Sequence, residues 1–177
     1  MKYGLIGVIV IIVGLFYFMH KSNKEDAARV VASGQAYTEQ QNKTVKVVEL
    51  QKSLPDLRES DALKLIESPK MSPEDVSFYT GLSAKWNDAL KVAGATPRID
   101  LSSPVQELQK LKRDLDARQP KTVCEDMMRS NLLNSYNYTI DGFLEFMKQN
   151  ETESGVNTRL SSSSMSDATF LLDYCKP

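Results

Sequence analysis

The feature that most constrains this chain is an uncharged, apolar run near its start. Residues 3–19 carry no charged side chain, and the run ends in the bulky residues Phe16 to Met19. As an α-helix these 17 residues would extend about 25 Å, the short end of what crosses a bilayer core. A signal peptide has a shorter apolar centre and small residues at its cleavage site. We therefore expect residues 1–20 to be a retained membrane anchor, with cleavage near Ala28 as the alternative.

Three glycines of this run fall near one helical face: Gly4, Gly7 and Gly14. Small residues let two membrane helices approach closely, so these glycines are the candidate seam of a helix dimer. Their spacing is not G-x-x-x-G, and glycine is common in membrane helices in general.

Two signals disagree about the orientation of the anchor. Lys21, Lys24 and Arg29 follow the run, which by the positive-inside rule favours a cytoplasmic C-terminal domain. The two cysteines, Cys124 and Cys175, favour export, because an even cysteine count in an exported chain indicates a disulfide. We give the cysteines more weight. The sequence then predicts a single pass through the cytoplasmic (inner) membrane, with the C-terminal domain on its periplasmic side.

A bond between Cys124 and Cys175 would close a loop of about 50 residues, worth about 4 kcal/mol in the chain-entropy model. The alternative is two independent buried thiols in a reducing compartment.

The remainder of the chain has the pattern of an all-α protein. Apolar residues recur at helical spacing, and neither strand alternation nor a hairpin signal is present. We expect a juxtamembrane helix over residues 21–55 and a small antiparallel helical bundle over residues 56–177. The bundle is predicted to be stapled by the disulfide.

Residues 150–163 are polar and lack periodicity, which predicts a flexible loop. A short final helix, over about 165–174, would then return along the long helix predicted over about 121–149. That return would bring Cys175 towards Cys124.

The juxtamembrane helix carries only a narrow apolar face. Its members are Val30, Gly34, Tyr37, Gln41, Val45 and Val48. Such a face packs weakly on the bundle, or it needs another chain to cover it.

Chemistry-bearing motifs are absent from the sequence. The single histidine, His20, excludes a catalytic triad or a multi-histidine metal site within one chain. The cysteines lack C-x-x-C spacing, and no glycine-rich phosphate motif occurs. A net charge of −1 gives no reason to expect nucleic acid as a partner. We expect no enzyme activity, no cofactor and no metal.

Two aromatic residues of the helix over about 121–149 fall off its main apolar stripe, namely Tyr138 and Phe146. They are the candidate interaction surface, because exposed aromatic side chains mark binding sites. The alternative is that they belong to the core of the bundle.

The layout is typical of single-pass envelope proteins that carry a small helical bundle. The leading hypothesis is a non-enzymatic interaction or accessory module, which is held in the membrane by residues 3–19. It would bind a protein partner of the envelope or a second copy of itself. The alternative is a sensory or small-ligand-binding bundle. A roomy pocket between the helices of Trp86 and Tyr136 would favour that alternative. A densely filled core would favour the first hypothesis.

A third hypothesis is a phage lysis protein similar to the inner-membrane component of a spanin pair. The short tail, the anchor and the exported helices fit it. The compact multi-helix pattern and the two cysteines weigh against it.

Overall fold

The computed structural model describes residues 29–177, and every regular element in that range is helical. The all-α prediction is confirmed for this part of the chain. The first helix, α1, covers residues 29–53 of the described range. The others are α2 (Glu59–Glu67), α3 (Pro73–Ala95), α4 (Ser102–Ala117), α5 (Val123–Met147) and α6 (Glu151–Cys175), with a short 3₁₀ turn at Arg98–Asp100 between α3 and α4.

The predicted anchor over residues 1–20 lies outside the described residues, and so do Gly4, Gly7 and Gly14. From residue 29 onwards, no helix combines the length and the apolar character needed to cross a membrane.

The chain divides into two compact units, Met1–Glu49 and Leu50–Pro177. The described part of the first unit is the helical segment 29–49. The second unit contains the helical bundle and begins at Leu50, before the predicted domain start at residue 56.

The start of α3 follows from its sequence. Ser72 caps the helix, because its Oγ accepts a hydrogen bond from the backbone N of Asp75 at 3.2 Å. The same hydroxyl donates to Asp75 Oδ2 at 2.7 Å, so the capping side chain is itself held by the Asp75 carboxylate. Pro73 stands at the first helical position, where its missing N–H costs nothing.

Helix α5 is the centre of the bundle and packs against α6, α4 and α2. Its Tyr136 stacks on Trp86 of α3, with the ring centroids 3.4 Å apart and the planes inclined by 2°. Both side chains are completely buried. The space directly between these two residues is therefore filled.

The predicted flexible loop at 150–163 is wrong, because α6 begins at Glu151 and runs through this segment to Cys175. Asn150 caps the helix, since its side-chain oxygen accepts a hydrogen bond from the backbone N of Glu153 at 3.4 Å. The acidic side chains of Glu151 and Glu153 lie in the first turn, where they complement the positive end of the helix dipole.

Small residues explain how so polar a segment packs as a helix. A Cβ placed on Gly142 of α5 would lie 3.5 Å from Asn157 Cβ of α6, so the two helices approach closely there. Ser161 of α6 donates to the backbone oxygen of Ser135 at 3.0 Å and lies 2.6 Å from Thr139 Oγ1. Hydrogen bonds made by short side chains thus hold this part of α6 on α5. The segment has no apolar stripe from which the helix could be predicted.

The antiparallel return of the chain onto α5 is confirmed. Cys124, in the first turn of α5, and Cys175, at the end of α6, are at disulfide distance with Cα atoms 5.8 Å apart. The backbone N of Met71 donates to Cys175 O at 2.9 Å, and Cys124 N donates to Ser68 Oγ at 3.2 Å. The cysteine pair therefore also joins the segment between α2 and α3.

Candidate functional site

A groove of about 550 Å³ opens between the end of α3, the 3₁₀ turn, α5 and α6. Pockets for small ligands usually measure about 300–1,000 Å³. Its apolar walls are formed by Leu90, Leu101, Phe143 and Phe146. Small residues line the rest, including Ala93 and Gly94 of α3, Thr139 and Gly142 of α5, and Ser154, Thr158, Ser161 and Ser162 of α6.

Arg98 is the one charged residue among the described lining residues. Its guanidinium carbon lies 4.2 Å from the centroid of the Phe146 ring, which holds the cation against the aromatic wall. The same guanidinium pairs with Glu151 at the start of α6. Exposed fractions of 34% for the Arg98 side chain and 63% for that of Glu151 show that this pair is open to solvent.

Most hydroxyls along the groove have already used their hydrogen atoms within the fold. Thr96 donates to Val92 O at 2.7 Å, and Thr158 donates to Ser154 O at 2.9 Å. Ser162 donates in the same way to Thr158 O at 3.0 Å. The groove is thus lined by hydroxyls whose protons are already donated, and Arg98 is its main donor of hydrogen bonds to a ligand.

The two predicted surface aromatics have different positions. Phe146 is half-buried and lines the groove. Tyr138 is half-buried elsewhere on α5 and is not among the lining residues. Their contact with a partner stays a prediction.

A buried ionic network lies at the opposite end of α3. Glu125 is fully buried. Its carboxylate accepts hydrogen bonds from Tyr79 Oη at 2.9 Å and from Arg118 Nε at 3.3 Å. It accepts a third from the backbone N of Lys121 at 2.7 Å. Arg118 also pairs with the buried carboxylate of Asp75, and Lys121 Nζ lies 2.7 Å from Asp75 Oδ1. Charge and hydrogen-bonding capacity are matched within the network, which indicates a structural role.

The network also shifts the proton affinities of its members. The hydrogen bond from Lys121, with a smaller one from Ser72, lowers the pKa of Asp75 to about 2. Burial raises the pKa of the Tyr79 hydroxyl well above its usual value, and the bond to Glu125 adds to the effect. Sequence reasoning missed the network. Nothing in the local pattern indicates that Glu125 is buried.

Four aspartates line a smaller recess of about 250 Å³, namely Asp56, Asp61, Asp126 and Asp167. Burial raises the pKa of Asp167, and the nearby charge of Asp56 raises it further. Asp61 instead accepts hydrogen bonds from the cations Lys64 and Arg58, and these bonds lower its pKa. In residues 29–177 no group of three or more His, Cys, Asp or Glu is arranged to hold a metal ion.

The apolar face predicted on the juxtamembrane helix is exposed along its length. The exposed fractions are 70% for Val30, 64% for Tyr37, 57% for Val45 and 47% for Val48. At 3.6 residues per turn these four lie within an arc of about 80°. We call this face, with Gly34 and Gln41 between the others, the α1 stripe.

Comparison of the chain with models of protein families, with curated proteins and with solved structures finds no match. The functional argument therefore rests on the groove, on the α1 stripe and on the sequence.

Proposed function

We propose that this protein is a membrane-tethered, non-enzymatic interaction module, whose helical bundle lies outside the cytoplasmic membrane and which pairs with a second copy through α1. The α1 stripe is the observation that carries the proposal. A row of large apolar side chains on one exposed face is unfavourable in water, and it marks a surface that another molecule covers. The apolar run over residues 3–19 supports the tether.

The geometry of the stripe favours a second copy as the occupant. Its members are spaced by four, three, four, four and three residues, close to the alternation of three and four found in coiled coils. A Cβ placed on Gly34 would meet nothing within 4 Å, which leaves room for a second helix to approach the middle of the stripe. Two copies anchored in one membrane would present the stripe at the same height, so parallel α1 helices would meet in register.

Engineered cysteines test the pairing. The structure contains no free cysteine in residues 29–177, so one added thiol is distinctive there. Tyr37→Cys places a thiol on the stripe, and Glu39→Cys places one on the opposite, exposed face of the same helix. In oxidised membranes, we expect a covalent dimer of the full chain from Tyr37→Cys and not from Glu39→Cys. Equal crosslinking of both, crosslinking of neither, or an adduct to a different protein would contradict self-pairing.

Two measurements test the tether and its orientation. The intact mass of the membrane-bound protein should include Met1, and a product that starts near Ala28 would show cleavage. Alkaline phosphatase fused after Pro177 should be active, because that enzyme needs an oxidising compartment for its own disulfides. An inactive fusion with an active cytoplasmic reporter would instead support the orientation that Lys21, Lys24 and Arg29 favour.

A small-ligand-binding bundle is the second candidate function. The rings of Trp86 and Tyr136 are stacked, so there is no pocket directly between these two residues. The groove lies further along the same helices, towards the end of α3, and its volume is that of a ligand site. This observation keeps ligand binding as a candidate beside pairing.

A further inference from the structure

We infer that the groove between α3, the 3₁₀ turn, α5 and α6 binds an apolar carboxylic acid, whose carboxylate takes the place of Glu151 on Arg98. This inference gives a ligand class to the second candidate function and is independent of pairing through α1. It rests on the shape of the groove, on the chemistry of its walls and on the position of its single charge.

The walls require a ligand that is mostly apolar. Phe143 and Phe146 present aromatic surface, and Leu90 and Leu101 add aliphatic surface. The hydroxyls of Thr96, Thr158 and Ser162 donate to backbone oxygens of their own helices, so they have no hydrogen left for a polar ligand. A ligand whose polar groups are mainly hydrogen-bond acceptors would therefore lose its hydrogen bonds to water at these hydroxyls without replacing them.

The charge of the groove requires an anionic end. Arg98 offers a planar guanidinium that can bind a carboxylate through two parallel hydrogen bonds. Its contact with the Phe146 ring holds this donor at the edge of the apolar wall. A ligand whose apolar body lies on that wall would thus bring its carboxylate to the guanidinium.

Glu151 already occupies Arg98, but only as an exchangeable partner. The Glu151 side chain is 63% exposed to solvent, and the Arg98 side chain is 34% exposed. Exposed ion pairs contribute little stability, so Glu151 can leave Arg98 and return to water at small cost. We infer that it serves as a stand-in for the ligand carboxylate while the groove is empty.

Gly94 provides a means of closing the groove without disturbing the fold. It lines the groove near the end of α3, and a Cβ there would meet nothing within 4 Å. Phenylalanine at this position would therefore fit the backbone and fill the space for the ligand. Gly81 is a matched control, because it lies exposed on the same helix with nothing within 4 Å and is not part of the groove.

The experiment uses the full chain in lipid nanodiscs, with empty nanodiscs as the blank. The probe is 6-phenylhexanoate, and 6-phenylhexan-1-ol is the uncharged analogue. Equilibrium dialysis should show that the acid binds roughly tenfold or more tightly than the alcohol, the range expected for a hydrogen bond to a charged group. Arg98→Gln should remove that preference. Gly94→Phe should abolish binding of both probes, whereas Gly81→Phe should bind both as the unaltered protein does.

Glu151→Gln gives the sharpest test, because it removes the competing carboxylate. We expect it to tighten binding of the acid roughly two- to fivefold, in line with the small energy of an exposed ion pair. Glu153→Gln removes the same charge from the same turn of α6 and should leave binding unchanged. The inference is overturned if the acid does not bind, if Gly94→Phe binds it normally, or if Glu151→Gln weakens binding. None of these results would affect the crosslinking of α1.

Discussion

The hydroxyl of Tyr79 donates a hydrogen bond to Glu125 over 2.9 Å, and neither residue has any surface exposed to solvent. This bond joins the first half of α3 to the first turn of α5. The same side chain also accepts hydrogen bonds from Arg118 and from the backbone N of Lys121, so it is buried and fully paired. Such a network fixes the relative positions of the helices, since any shift would leave a buried charge without partners.

Replacing Tyr79 by phenylalanine tests the first of these bonds. We expect Tyr79→Phe to lower the free energy of unfolding by about 1–3 kcal/mol, because Glu125 stays buried with one donor fewer. Denaturant titration can follow the fluorescence of Trp86, the single tryptophan of the chain. Thr80→Val is the control, since Thr80 is an exposed residue of the same helix and loss of its hydroxyl should change stability by less than about 0.5 kcal/mol. Equal effects of the two substitutions would contradict a structural role for the buried bond.

Replacing Tyr136 by phenylalanine should instead raise the free energy of unfolding. Tyr136 is completely buried, and within residues 29–177 its hydroxyl has no hydrogen-bond partner. Burial raises the pKa of this hydroxyl well above its usual value. Tyr136→Phe removes an unsatisfied polar group and keeps the stacked ring, so we expect stability to rise by about 1 kcal/mol. A loss of similar size would show that the hydroxyl is bonded, with Ser83 as the candidate partner.

The sequence predicts the helix over about 121–149, which is present as α5. Of α6, which runs over Glu151–Cys175, it predicts only the last part, about 165–174. Residues 150–163 are polar and lack periodicity, so the sequence predicts a loop there. One local signal was available, since Asn150 and Glu153 have the spacing of a capping box.

The groove could not be predicted from the sequence for a related reason. Its lining comes from four separate elements, and Gly142 of α5 and Ser154 of α6 are among the small residues that line it. Phe146 lines the groove, and its role as an interaction surface stays a prediction. The role of Arg98 depends on a 3₁₀ turn that no pattern in the sequence indicated.

Loss of the bond between Cys124 and Cys175 should lower the stability of the protein and loosen only the end of α6. In the chain-entropy model a bridge across 51 residues contributes about 4 kcal/mol. Cys124→Ser, Cys175→Ser and the double variant should therefore lower the melting temperature alike. Because α6 packs along α5 as a helix of 25 residues, we expect only its last turn to lose protection from hydrogen exchange.

Alkylation during isolation provides the check on the bond itself. Protein isolated under alkylating conditions should carry no modified cysteine at positions 124 and 175. Modification of both would show that the thiols are free in the cell, and it would remove the main support for a bundle outside the cytoplasm.

The ionic network also predicts how stability depends on acid. The pKa of Asp75 is about 2 in the folded protein because of Lys121 and Ser72, below the value of about 3.9 for an unperturbed aspartate. The stability that this carboxylate supplies is therefore complete above about pH 4 and is lost as the pH falls towards 2. Asp75→Asn should flatten the dependence of unfolding free energy on pH in that window, whereas Asp88→Asn, at an exposed position of the same helix, should leave it unchanged. An Asp75→Asn profile as steep as that of the unaltered protein would place the acid sensitivity in another group.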